Sequence, residues 1–154
     1  MNIAIVGSRQ YPHLDDVRSL VAVIAADMPD AVIVSGGAIG VDTTAEQAAL
    51  ACGLRVVSYR PYTLAYDSHG VEEWVLGGQH STSYVRQMVE HPTFAKYEDA
   101  LFYRNILIVA KASRVVAFRA AWSPGTTFTM DITLAGEKPL KEYGVEDDKR
   151  LVTA

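Results

Sequence analysis

The sequence predicts an α/β fold with a mainly parallel sheet, and three observations carry the prediction. Short apolar runs alternate with amphipathic stretches over the first 58 residues, in the order strand, helix, strand, helix, strand. That alternation is the signature of βαβ units. Three glycine-marked loops each follow an apolar run and open a helix: Gly7-Ser8-Arg9, Ser35-Gly36-Gly37-Ala38-Ile39-Gly40-Val41-Asp42 and Ser123-Pro124-Gly125-Thr126-Thr127. Right-handed crossovers bring such loops together at the carboxyl edge of the strands.

The elements follow in order. Asn2–Val6 is an apolar run ending at Gly7, a buried strand. Leu14–Met28 has helical spacing, with Val17, Leu20, Val21, Ile24 and Ala25 on one face and Asp15 and Asp16 near its start. Ala31–Val34 is the second strand. Asp42–Cys52 is a helix whose packing side, Ala45, Ala48, Ala49 and Cys52, is small enough to lie close to the sheet. Gly53 ends it, and Leu54–Ser58 is the third strand.

Residues 59–96 read as an insertion over the ligand edge or at a subunit contact, within a single domain spanning 1–154. Pro61, Gly70, Gly77, Gly78 and Pro92 interrupt it, and Gly70–Leu76 and Ser81–Glu90 are its helical candidates. Regularity returns with a helix over Tyr97–Ala110, expected to bury Leu101, Ile106, Leu107 and Val109. Arg114–Phe118 is a strand, Thr126–Ala135 a helix stopped by Gly136, and Lys138–Tyr143 a last strand before a polar tail.

Composition narrows the function. A chain of 154 residues that is 49% hydrophobic can bury a sizeable core. The formal net charge of −4 disfavours the broad basic face that non-specific nucleic-acid binding needs, so nucleic acid is not expected as a partner. Cys52 is the one cysteine, which excludes an intramolecular disulfide, and it is expected to pack as a small apolar residue. His69, His80 and His91 lie near Glu72 and Glu73 at spacings that fit no standard metal motif, and no metal is expected. No apolar run reaches membrane-spanning length and no signal-type leader is seen. These features suggest a cytoplasmic protein without a membrane partner, in a host cytoplasm if the protein is viral.

The loops carry the candidate chemistry. In the first, Gly7 admits a ligand close to the backbone, Ser8 offers a hydroxyl, and Arg9 offers a forked contact to phosphate or carboxylate. The second, Ser35-Gly36-Gly37-Ala38, forms a tight turn with several free N–H groups, an anion-binding nest. Gly40 permits close packing, and Asp42 either caps the helix or accepts hydrogen bonds from a ribose or amine. Arg104-Asn105 interrupts an apolar helix. It reads either as one solvated turn or as a phosphate contact with a loop-ordering amide. The third loop adds Gly125, Thr126 and Thr127 at a helix start, with Thr126 alternatively a plain N-cap. Trp122, just before that loop, is the candidate for stacking on a base.

Gly7-Ser8-Arg9, Gly36-Gly37-Ala38-Ile39-Gly40-Val41-Asp42, Arg104-Asn105, Val115-Val116-Ala117-Phe118 and Gly125-Thr126, in that order, resemble the SLOG superfamily. The likeness is greatest to its small YspA/YpsA-related branch, with the Lonely Guy phosphoribohydrolases and the DNA-processing protein DprA as more distant relatives. It spans about residues 2–58 and 97–136. The resemblance implies a Rossmann-like three-layer sandwich holding a nucleotide or its derivative at the strand ends. It also marks a departure. Aligned on Gly125-Thr126, the Lonely Guy motif places its glutamate where this chain has Thr129, which cannot serve as a carboxylate base. No catalytic residue is therefore assigned. The leading expectation is a sensor or sequestering protein for a nucleotide-derived small molecule, forming a homo-oligomer, with no cofactor beyond that ligand. A hydrolase of the glycosidic or phosphate bond of a nucleotide and a DprA-like single-stranded DNA binder are the alternatives.

Overall fold

The computed structural model describes residues 1–77, 85–87, 92–120, 123–146 and 149–153. The strands are β1 (Asn2–Gly7), β2 (Val32–Ser35), β3 (Arg55–Ala65), β4 (Ser68–Leu76), β5 (Val85–Gln87), β6 (Arg114–Arg119), β7 (Leu140–Glu146) and β8 (Lys149–Thr153). The helices are α1 (Leu14–Asp27), α2 (Val41–Ala51), α3 (Tyr97–Lys111) and α4 (Pro124–Ala135). One sheet contains all eight strands in the order β5-β4-β3-β2-β1-β6-β7-β8. Its five central strands, β3, β2, β1, β6 and β7, pair in parallel, and β4, β5 and β8 extend it antiparallel at the two sides.

Alternation along the strands sets the three layers, because successive strand side chains point to opposite faces. Ile3, Ile5, Ile33, Val56, Val116 and Phe118 turn to one face and pack with Val17, Val21 and Ile24 of α1 and Val41, Ala45 and Ala49 of α2. Ala4, Val6, Val34, Val57, Val115 and Ala117 turn to the other and pack with Ala100, Ile108 and Val109 of α3 and Met130 of α4. The fold is thus the Rossmann-like α/β sandwich that the loops implied. The chain builds outward from β1 on one side through β2 and β3, then returns to pair β6 on the other side of β1. Strand order therefore reverses beside β1, and a crevice forms outside the carboxyl ends there.

Four local readings change. Gly70–Leu76 is part of strand β4, not a helix: it pairs with β3 from Val56–Leu76 through Ala65–Ser68. Of the candidate helix Ser81–Glu90, Val85–Gln87 is strand β5 and the rest lies outside the described residues. Cys52 is exposed at the end of α2, because the close helix–sheet contact is made by Ala45 and Ala49 one turn earlier. In α3, Ile106 is 46% exposed, while Arg104 and Asn105 are among the buried residues. The helix has apolar residues on more than one face, and Arg104 and Asn105 share the buried one with Ala100, Ile108 and Val109.

Candidate functional site

The first loop closes the end of β1 against its neighbours. A Cβ on Gly7 would lie 2.6 Å from both the Phe118 carbonyl oxygen and Val41 Cγ2, so only glycine fits between β6 and α2. The Ser8 N–H donates to the Phe118 carbonyl at 2.9 Å, and Ser8 Oγ accepts the Ala120 N–H at 2.9 Å. The buried Ser8 hydroxyl thus ties the first loop to the end of β6. Arg9 follows it and is exposed.

The second loop is organised around Asp42. Gly37 takes φ +69°, the left-handed region that a β-branched side chain avoids. Its N–H donates to Ser35 Oγ at 3.2 Å, and that buried hydroxyl donates to the Asp42 carbonyl at 3.5 Å. Gly40 lies against the Arg9 backbone, and its N–H donates to Thr43 Oγ1 at 3.2 Å. Thr43 therefore meets the capping need of α2. The Asp42 carboxylate instead turns back to accept the Ala38 N–H at 3.3 Å, and it is 5% exposed.

Arg104 reaches this loop from α3. It is 8% exposed, donates from Nη1 to the Gly36 carbonyl at 2.7 Å and from Nε to Asn105 Oδ1 at 3.0 Å. A Cβ on Gly36 would lie 2.8 Å from Arg104 Nη1 and 2.9 Å from Asp42 Oδ2, so the missing side chain leaves room for both. Burial pushes the Asp42 carboxyl up to about 6, against the pull of Arg104 and the Ala38 amide, with Glu46 adding to the rise. Burial likewise holds Arg104 below the usual guanidinium value, the Asp42 carboxylate raising it and Arg9 lowering it again. Desolvation outweighs the attraction between the two charges for both groups. Two cations, Arg9 and Arg104, act on each other at the loop.

In the third loop Pro124 occupies the first turn of α4, where its missing N–H costs nothing. Ser123 makes no side-chain cap to the backbone; its hydroxyl donates to Thr126 Oγ1 at 2.9 Å. The Thr127 N–H donates to the Ser123 carbonyl at 3.0 Å, and Thr129 Oγ1 donates to the Gly125 carbonyl at 3.1 Å. Thr129 is therefore a buried helix residue whose hydroxyl is already engaged.

These loops enclose two adjoining clefts. The larger, about 470 Å³, brings together Gly7, Ser8, Arg9, Ala38, Asp42, Arg104, Asn105, Gly125 and Thr126 of the expected residues, with Phe102, Leu101 and Glu98 on its wall. The smaller, about 260 Å³, adds Gly36 and Gly37 together with Arg60, Pro61 and Tyr97, and shares Arg9, Ala38, Leu101 and Arg104 with the first. Ser35, Gly40 and Thr127 line neither cleft; they support its walls. Trp122 lies outside the described residues. Arg60, Tyr97 and Phe102 are among the wall residues that sequence reasoning missed. Arg60 carried a usable signal, since it follows the apolar run of β3 as Arg9 follows that of β1. Among the described residues no group of His, Cys, Asp and Glu is arranged to hold a metal.

The raised Asp42 carboxyl has a measurable consequence. Its pKa is about 6 in the fold against 3.8 as its ordinary value. The folded state therefore binds the proton more tightly. This contribution to stability is complete below the unfolded value and is lost as pH rises through the folded one. Between pH 4 and 7 the group is expected to remove about 2 kcal/mol, because the unfolded carboxyl is already partly ionised at pH 4. Denaturant unfolding of the wild type and Asp42→Asn across that range checks it. The variant should lack this part of the slope, and identical slopes would mean that the carboxyl titrates normally.

A family model described as "DNA recombination-mediator protein A" matches residues 1–144. No curated protein matches the chain. Among solved structures the chain is similar to DNA processing protein A of Helicobacter pylori, a structure concerned with that protein's single-stranded DNA binding mode. The TM-score is 0.67 at 20% identity, over 97% of this chain and 68% of that one. It is also matched to DNA processing protein A of Streptococcus pneumoniae, with a TM-score of 0.48 at 16% identity, over 90% of this chain and 57% of that one. The family match supports the SLOG superfamily but does not single out its YspA/YpsA-related branch, and the Helicobacter pylori structure shows that the fold is shared. The family match overturns two expectations, a nucleotide-derived small molecule as the ligand and nucleic acid as an improbable partner. The physical reason is that a net charge of −4 is a sum over the whole chain. It does not report the local charge of a cleft. Among the described residues no helix is long and apolar enough to cross a membrane.

Proposed function

We propose that this chain, which belongs to the DNA recombination-mediator protein A family, binds single-stranded DNA in the cleft at the carboxyl edge of its sheet. The carrying observation is the convergence of Arg9 and the buried Arg104 on a loop whose neighbours are the N-terminal ends of α2 and α4. A phosphodiester placed there meets two guanidinium groups and the positive ends of two helices. It also offsets the desolvation of Arg104. The aromatic wall residues Phe102 and Tyr97, each 43% exposed, offer faces on which bases stack, a contact that tolerates any sequence. Base-edge readout plays no part in this reading.

Within the superfamily, our placement on the YspA/YpsA-related branch rests on the order and spacing of the three loops and Arg104-Asn105. A cytoplasmic site of action and self-association belong to the same proposal.

Arg9 gives the cleanest test, because it is exposed at the mouth of both clefts. Arg9→Ala is expected to weaken binding of a fluorescent oligodeoxynucleotide about tenfold, as for loss of a charged hydrogen bond. The slope of log affinity against log salt should become shallower by about 0.7, the share of one phosphate on a single strand. Its melting temperature should stay near that of the wild type, as for an exposed substitution. An unchanged affinity and slope would remove Arg9 from the interface.

A further inference from the structure

Arg60 brings a third arginine to the glycine loop, from an element outside the larger cleft. β3 pairs with β2 only as far as Ser58, and Arg60 stands beyond it on the β3–β4 hairpin. Its side chain is held from several directions. Nε donates to Ser58 Oγ at 3.0 Å, Nη2 lies 3.4 Å from both Glu46 carboxylate oxygens, and Cζ sits 4.6 Å over the Trp74 ring. The Cβ that Gly37 lacks would lie 2.8 Å from Arg60 Nε, as the one that Gly36 lacks would lie 2.8 Å from Arg104 Nη1. The two guanidinium groups therefore attend successive residues of one loop. The smaller cleft lies between them and is continuous with the larger through Arg9 and Arg104.

We propose that this smaller cleft holds a second phosphodiester of the same strand, with Arg60 as its cationic contact. The inference rests on the single-stranded DNA reading of the larger cleft. A strand presents phosphates at regular intervals, so a groove that follows it needs cations in series. The order α4 end, Arg9 and Arg104, then Arg60 supplies that series and directs the strand across Gly36-Gly37 toward the hairpin. Glu46 holds Arg60 at 3.4 Å, longer than the 2.7–2.9 Å of a tight charge-assisted pair. It orients the guanidinium and competes with an incoming phosphate for it. Tyr97, exposed on the wall of this cleft, faces the base that follows.

The test compares thymidine dinucleotide, which has one phosphodiester, with longer oligothymidylates, by fluorescence anisotropy or competition. Arg60→Gln is expected to weaken the longer strands about tenfold and to leave the dinucleotide nearly unchanged. Arg60→Lys should restore most of the loss. Glu46→Gln, which removes the competing charge, should tighten the longer strands about threefold, a gain that damage to the fold cannot produce. The second phosphate site is overturned if Arg60→Gln affects short and long strands alike or affects neither. It is overturned equally if Glu46→Gln leaves the longer strands no tighter, the outcome that decides should Arg60→Gln fail to fold. If the wild type binds no strand of any length, the reading of the larger cleft fails first and takes this inference with it.

Discussion

Replacing Arg104 by methionine is expected to abolish measurable DNA binding and to destabilise the protein by a pH-dependent amount. The side chain is buried, bonds the Gly36 carbonyl at 2.7 Å, and is the main cation opposing the desolvation of Asp42. Methionine preserves much of the volume but leaves the buried carboxylate with the Ala38 N–H and without its nearby cation, which costs about 1–3 kcal/mol. Asp42 has an escape, because it can take up a proton. With Arg104 gone its pKa rises further above 6, since the largest lowering influence is removed. The deficit relative to wild type should therefore be smaller at pH 5 than at pH 8. Adding Asp42→Asn should recover stability at pH 8 and leave binding lost. Denaturant unfolding of the two single variants and the double variant at both pH values is the measurement. A deficit independent of pH would mean that Arg104 and Asp42 are not coupled as described.

The second large effect is expected at Gly7, on the lining of the larger cleft, and it comes from packing. Gly7→Ala places a methyl 2.6 Å from the Phe118 carbonyl oxygen and 2.6 Å from Val41 Cγ2. One obstacle is backbone, which cannot rotate away. The end of β1 must separate from β6 or from α2, at a cost of about 3 kcal/mol, the upper end of the usual overpacking range. Gly125→Ala is the matched control, because nothing lies within 4 Å of the Cβ it would add. Thermal unfolding should show a large drop for the first and almost none for the second. Equal melting temperatures would mean that the first loop is looser than described.

The parallel half of the fold was legible because strand and helix periods alternate cleanly from Asn2 to Ser58 and each glycine loop sits at a period change. β4 was not. Gly70 reads as a helix-breaking boundary, yet its role is to leave space for the Tyr62 ring on the neighbouring strand, 2.8 Å from where a Cβ would stand. Cross-strand contact of that kind has no local signature. α3 misled for a different reason. Its residues are apolar on several faces, so periodicity could not choose between Ile106 and Ile108, and the partner of the buried Arg104, the Gly36 carbonyl, lies outside the helix. The choice of ligand went astray because charge was read as a total. Arg9, Arg60 and Arg104 are far apart in sequence, and only the fold gathers them along one loop.

Amide chemical-shift mapping of the labelled protein with a single-stranded oligodeoxynucleotide at low salt tests the central claim most directly. The account predicts saturable shifts concentrated at Arg9, Gly36-Gly37-Ala38, Arg104-Asn105 and Gly125-Thr126, fading as salt is raised. Saturable shifts on another face of the sheet, or no shifts at any oligonucleotide concentration, would contradict it.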